Sequence, residues 1–387
     1  MKPKYVSVLD FGSSKISVMI AESGINNTFN ILGTGENEYA GFYNGSFVEP
    51  EKLYEAIANC VVKAETNSGL KIEKLHIGVP AEFTFVECKN SSVAFNKRLR
   101  IGEEELADLF DLASRDVNHD GATIISRSPI YFLLDDNRKV IDPKGEVSTR
   151  LSGQISFVLA DNKFIETIDD IIKNMGIREV EYVSSSLAES IYLLDPQVRD
   201  SGAILIDVGY LTSFVALVKG DGIISLNQFS VGGGHISADL CQVLNISFKE
   251  AENLKRKVVL SLMATDTDFY EVTVNGNVTP VSAKLTNEIV SARLDMIVDL
   301  INRCLLKMKG NAYLPVFITG GGVCLLKGGK DYISKGIGEN VEVLSSNVPQ
   351  LSKPTYSSVL GLLDIAIKEM KNQKKSIYKK MKHWFKK

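Results

Sequence analysis

An apolar, β-branched run that ends in Asp and turns at once through a glycine occurs twice in this chain, as VSVLDFGSSK at 6–15 and AILIDVGYLTS at 203–213. Each run reads as a buried strand, and each turn as a hairpin whose backbone N–H groups can face an anion. A third string, PVFITGGG at 315–322, sets Gly320, Gly321 and Gly322 between a strand and a helix, where missing Cβ atoms allow close approach of a flat or anionic ligand. Any one string alone is more often an ordinary turn or a flexible loop. All three in this order, about 200 and then about 110 residues apart, constrain the chain to an α/β architecture of two duplicated halves around one nucleotide site.

The chemistry expected there is phosphate binding. Asp10 and Asp207 flank the phosphates and hold Mg²⁺ through its waters, because that ion keeps an octahedral shell and dehydrates reluctantly. Ser13, Ser14 and Thr212 supply hydroxyl donors, and Gly12, Lys15 and Gly209 complete the two loops.

The 387 residues, 44% hydrophobic, suffice for substantial cores in two or more domains. Five scattered cysteines, with no C-x-x-C and no histidine at ligand spacing, suggest neither a zinc site nor a disulfide framework. Their odd number and the lack of a signal peptide point to a reducing cytoplasm. Charge interrupts every apolar stretch before the roughly 18 residues that a membrane span needs. The net charge is −3, yet residues 371–387 hold eight lysines and no acid, so the remaining chain carries about −11, which disfavours nucleic acid as a partner.

That tail has an amphipathic pattern. At 100° per residue Ile377, Tyr378, Met381, Trp384 and Phe385 share a stripe about 120° wide, with Lys379, Lys380 and Lys386 among the surrounding charges. Such a helix suits an anionic membrane surface, each lysine adding about 1 kcal/mol of attraction. The polar KNQKK before it reads as a flexible linker. A frayed basic terminus is the plainer alternative.

Beyond the phosphate loops, GFYNGSFVEPEKLYEAI (41–57), LHIGVP (75–80), SVGGGHISADL (230–240), KEAENLK (249–255) and KPTYSSVLGLL (353–363) resemble segments of the FtsA family of bacterial cell-division proteins, within the actin, Hsp70 and sugar-kinase superfamily. The resemblance implies a two-lobed duplicated actin-like ATPase fold with an inserted α+β subdomain, 1C, and a C-terminal amphipathic helix. It places subdomain 1A at 1–80 and 158–195, with 355–370 returning to it, and 1C at 81–157. Subdomain 2A takes 196–235 and 310–354, subdomain 2B 236–309, and the linker and membrane helix 371–387. It also implies ATP and Mg²⁺ as cofactors, Asp10 and Asp207 as catalytic and metal residues, Gly232 and Gly233 beside the nucleotide, and Glu252 and Lys255 beside its ribose and adenine. The partners implied are the tubulin homologue FtsZ, an anionic membrane, further copies in a filament, and other division proteins through 1C. The implied location is the cytoplasmic face of the membrane at the division site.

One departure bears on turnover. Relatives carry D-I-G-G-G-T-T-D where this chain has Tyr210 and Leu211 in place of two glycines, which predicts a strained or reshaped loop, costing about 1–3 kcal/mol, and slow or absent hydrolysis. Glu189 does not match the spacing of a catalytic glutamate and reads equally well as a surface salt bridge. Two other functions fit the superfamily: a PilM-like pilus-assembly adaptor, and a small-molecule kinase, which leaves the basic tail unexplained.

Overall fold

The computed structural model describes residues 5–24, 28–39, 41–274, 276–310 and 313–384, apart from the side chains of Val274 and of 373–384. The first half opens with a meander of β1 (Tyr5–Phe11), β2 (Lys15–Ser23) and β3 (Phe29–Glu38), followed by a small ribbon of β4 (Phe42–Tyr43) and β5 (Ser46–Phe47). Helix α1 (Pro50–Ser68) starts on a proline, whose missing N–H costs nothing in a first turn, and stops at Gly69 in the left-handed conformation. It leads into β6 (Lys74–Val79), which pairs parallel with β1. The helix lies close on the sheet at Gly35, where a Cβ would come within 1.9 Å of the Cys60 carbonyl.

The inserted unit follows: β7 (Thr84–Arg100), α2 (Glu103–Ser114), β8 (Ala122–Leu133), β9 (Lys139–Val140) and β10 (Val147–Asp161). Its sheet runs β7-β10-β8-β9. The apolar side of α2, Leu109 and Ala113, packs with Phe132, Ile155 and Phe157 into a core of its own. TFVEC (84–88) and VAF (93–95) lie on one continuous β7, and β10 runs unbroken through the expected subdomain boundary at 157 and 158. Long antiparallel pairing between β7 and β10 supports both, since Lys89 to Ser92 and Phe157 to Ala160 all have ladder partners. The chain then returns through α3 (Asn162–Asn174), β11 (Glu179–Ser184), α4 (Ser185–Leu193) and α5 (Pro196–Ser201).

The second half repeats the plan with β12 (Ala203–Val208), β13 (Ser213–Lys219) and β14 (Gly222–Phe229). Next come α6 (Gly233–Leu244), α7 (Phe248–Lys255), the hairpin β15 (Phe269–Val274) and β16 (Asn277–Ser282), and α8 (Ala283–Lys309). The chain closes with β17 (Val316–Thr319), α9 (Gly329–Ile337), β18 (Val341–Val343) and α10 (Ser357–Trp384).

The two main sheets have the same order, β3-β2-β1-β6-β11 and β14-β13-β12-β17-β18, each with antiparallel pairing among its first three strands and parallel pairing among its last three. The duplication inferred from two short strings therefore extends through whole sheets. One face of the first sheet packs on α1 and α3 through Leu9, Ile57 and Phe164. Its other face packs on α10 through Val8, Leu360 and Leu363. Between the halves, Leu187 of α4 joins Leu205 and Phe214 of the second sheet in a shared core.

Helix α10 departs from expectation. Its backbone is helical through 371–375, where the sequence predicts a flexible break. Lys, Gln and Asn carry modest helix costs, and the preceding residues to Ile367 are anchored on the sheet, so extension needs no new nucleus. The side chains of Ile377, Tyr378, Lys379, Lys380, Met381 and Trp384, and all of Phe385 and Lys386, lie outside the described residues. Among the described residues no helix is long and apolar enough to cross a membrane.

Candidate nucleotide site

The β1–β2 and β12–β13 turns face each other across a cleft of about 1440 Å³. In both, the glycine after the Asp closes the turn: Gly12 N–H donates to the Lys15 carbonyl at 2.9 Å and Gly209 N–H to the Thr212 carbonyl at 3.0 Å. A Cβ on either would meet that same carbonyl oxygen, at 2.9 Å and 2.6 Å. The loops also touch directly, because the Leu211 N–H donates to Ser13 Oγ at 2.9 Å. Gly12, Ser13, Ser14, Lys15, Gly209, Thr212, Gly320, Gly321, Gly322, Glu252 and Lys255 all line the cleft with both aspartates.

At its floor sit three carboxyl groups. Asp10 Oδ1 accepts hydrogen bonds from Ser358 at 2.8 Å and Ser185 at 3.4 Å. Burial raises its pKa against the opposing pull of Ser358, Ser185 and Lys15. Asp207 is pushed up to about 6, first by burial and then by the charge of Asp10, with a hydrogen bond to Glu189 pulling the other way. Glu189, 1% exposed, is raised well above the usual carboxyl range by burial and by Asp207 and Asp10. It is not the surface salt bridge that the sequence allowed. Like charges cannot all ionise in so dry a place, so Glu189 keeps its proton and donates it in the hydrogen bond that lowers Asp207. Asp207 Oδ1 is moreover buried without a hydrogen-bond partner among the described residues. An orphaned carboxylate oxygen among three acids fits a hydrated divalent cation, which would offset the repulsion.

Tyr210 and Leu211 are absorbed without the expected strain. Neither is among the non-glycine residues with positive φ, which are Asn44, Asn137, Asn245 and Gln350 among the described residues. The Tyr210 ring instead lies against Gly234, where a Cβ would come within 2.9 Å of it, and stands edge-on to Phe248. The third glycine of SVGGGH thus makes room for the bulky loop.

Two expected ligands do not reach the cleft. Gly232 and Gly233 are not among its lining residues. The Gly232 N–H donates to His235 Nδ1 at 3.1 Å, capping α6, and the Gly233 N–H donates to the Gly209 carbonyl at 2.9 Å, holding α6 against the second loop, so both donors are spent. Gly322 completes this packing, since a Cβ there would sit 2.2 Å from the Gly209 oxygen. Lys15 lines the cleft with its ammonium 2.6 Å from Glu36 and 5.2 Å above the Tyr356 ring, already engaged.

Glu252 and Lys255 form a connected wall. Glu252 Oε2 accepts from Ser237 Oγ at 2.6 Å and Lys255 Nζ at 2.7 Å, and Lys255 also donates to the Gly233 carbonyl at 2.9 Å. Burial lowers the Lys255 pKa, and Glu252 offsets part of that. Burial raises Glu252, but Lys255 and Ser237 outweigh it and hold its carboxyl below the ordinary value. Sequence reasoning missed Ser185 and Ser358 as partners of Asp10. Ser358 lies within KPTYSSVLGLL, but only the packing of α10 on β1 shows which hydroxyl faces the carboxylate.

Residues 204–361 match the family model described as Cell division protein FtsA. The Cell division protein FtsA of Enterococcus hirae is 26% identical over 361 residues, covering 92% of this chain and 81% of the relative. That of Bacillus subtilis is 26% identical over 387 residues, covering 97% and 86%. Among solved structures, a PilM-PilN type IV pilus biogenesis complex superposes with a TM-score of 0.65 at 14% identity, covering 95% of this chain and 99% of the other. MreB5 of Spiroplasma citri bound to AMPPNP superposes with a TM-score of 0.54 at 12% identity, covering 99% of each chain. At such identities the structural matches carry the fold. Duplicated sheets, an intervening cleft and sequence similarity agree: this chain is similar to the FtsA cell-division proteins along most of its length and has the two-lobed fold of the actin-like ATPases.

Proposed function

We propose that the protein is an ATP-binding cell-division adaptor, which assembles into filaments and tethers filaments of FtsZ to the cytoplasmic face of the membrane at the division site. The observation that carries the nucleotide half of this reading is the meeting of two Asp-ended hairpins over one cleft, bridged from Ser13 to Leu211. Asp10 and Asp207 would hold Mg²⁺, which neutralises phosphate charge when bound. Ser13, Ser14, Thr212 and Gly320 to Gly322 border the phosphates, and Glu252 and Lys255 border the nucleoside end. In this reading Glu189 retains a proton beside Asp207. A glutamic acid that keeps its proton is a poor base for an attacking water, which supports slow or absent hydrolysis.

The anchoring half rests on the basic, aromatic tail, which prolongs a helix already fixed to the first sheet. One short amphipathic helix binds weakly, and several on one filament bind tightly through effective concentration. The inserted unit, with its own core, is the proposed contact for other division proteins. The test is co-sedimentation with anionic vesicles, comparing the full chain with a form ending at Met370, each with and without Mg²⁺-ATP. Loss of vesicle binding on truncation, with nucleotide binding intact, supports the anchor. Equal sedimentation of both forms refutes it.

A further inference from the structure

The far end of the first sheet holds a second cluster that the nucleotide site does not use. Parallel pairing of β6 with β11 sets His76 directly opposite Glu181. Glu369 of α10 comes down on the same pair. His76 Nε2 lies 3.3 Å from Glu369 Oε2 and 3.6 Å from Glu181 Oε2, and the three ligand atoms all fall within 4.8 Å of one another. Ser358, near the start of α10, touches Asp10, and Glu369 stands eleven residues further on, so the cluster is about 16 Å along that helix from the nucleotide cleft at 1.5 Å per residue.

We propose that His76, Glu181 and Glu369 form a site for a divalent transition-metal cation, zinc foremost, which clamps α10 to the first sheet. The imidazole is 4% exposed, and its Nε2, aimed between two carboxylates, has no hydrogen-bond partner among the described residues, nor does Glu369 Oε2. Its other nitrogen is occupied, since Nδ1 lies 3.3 Å from the Ser7 carbonyl. A proton on Nδ1 leaves the Nε2 lone pair as the outward ligand, in the way that metal-binding histidines are usually oriented by an outer-shell carbonyl. Zinc bound tetrahedrally at about 2.0–2.1 Å sets its ligands about 3.3 Å apart, and the two His76 separations match that edge. One nitrogen and two carboxylate oxygens favour zinc and its neighbours over Mg²⁺, which prefers an all-oxygen shell. Three protein ligands leave the fourth position to water. Lys74, which pairs with the same Glu181 oxygen, is the competing cation.

The rival arrangement is a proton in place of the metal, giving an imidazolium between two acids. The experiment uses the full-length protein, stripped with chelator, then titrated with Zn²⁺ and separately with Co²⁺ in excess Mg²⁺. Metal content, the visible d–d bands of Co²⁺ and the ¹⁵N shifts of His76 are read together. One equivalent bound, tetrahedral Co²⁺ bands without thiolate charge transfer, and a neutral metal-bound His76 are expected. Glu369→Gln, which keeps the shape of a half-exposed side chain, should weaken Zn²⁺ binding at least tenfold, whereas Asp207→Asn should leave it unchanged. Lys74→Gln should tighten it. Failure of the wild type to bind, equal binding by Glu369→Gln, or an imidazolium shift that persists under saturating Zn²⁺ overturns the site. Any of these results leaves the nucleotide reading standing, because no cleft residue is involved.

Discussion

Asp207→Asn should stabilise the nucleotide-free protein at neutral pH while weakening the proposed Mg²⁺ site. Asp207 has a pKa of about 6 in the fold against an ordinary 3.8. Between those values the native state holds one more proton than the unfolded chain, so stability falls as pH rises. The penalty is absent below about 4 and complete above about 6. At 1.36 kcal/mol per unit, it amounts to about 3 kcal/mol for this fully buried group. Asparagine has nearly the same shape and no charge, so it removes the penalty. Its amide can still hydrogen-bond Glu189, but more weakly than a carboxylate does, which trims the gain to about 1–3 kcal/mol. The assay is urea unfolding of wild type and variant at pH 5 and pH 8 in chelator without nucleotide. The gap between the two proteins should be widest at pH 8, and Mg²⁺-ATP should close it by stabilising only the wild type. Equal pH slopes, or a variant less stable than wild type at pH 8, would refute the account of a repulsive carboxyl cluster.

Gly320→Ala should cost more than about 2 kcal/mol, since its φ is +89° and the new Cβ would lie 2.1 Å from Asp207 Oδ1 and 2.5 Å from the Val208 carbonyl; a loss below 0.5 kcal/mol on urea unfolding would disprove that crowding. Tyr210→Gly should lower stability by about 1–3 kcal/mol by emptying the space beside Gly234 and Phe248 without abolishing nucleotide binding, and unchanged stability would show the ring to be unpacked. Lys255→Met should leave Glu252 and the Gly233 carbonyl short of a donor, at about 1–3 kcal/mol, and weaken nucleotide binding measured by calorimetry. Wild-type affinity and stability together would remove Lys255 from the site's wall.

Local patterns determined much of this protein. Apolar runs ending in Asp, then Gly, located both hairpins, because a buried strand and a tight turn each need particular residues within a few positions. What remained hidden depended on contacts between distant segments. Gly233 looks like a phosphate binder in a string, yet its N–H is consumed by the Gly209 carbonyl of a hairpin brought against it only in the fold. Glu189 has no local sign of its role, since its chemistry comes from Asp10 and Asp207, nearly two hundred residues away in one case. The five cysteines and scattered histidines showed no metal spacing, yet strand register and one helix bring His76, Glu181 and Glu369 together. A strand's own sequence decides which faces its side chains take, but pairing register and helix packing decide which charges meet, and at buried positions that meeting sets their protonation and their ligands.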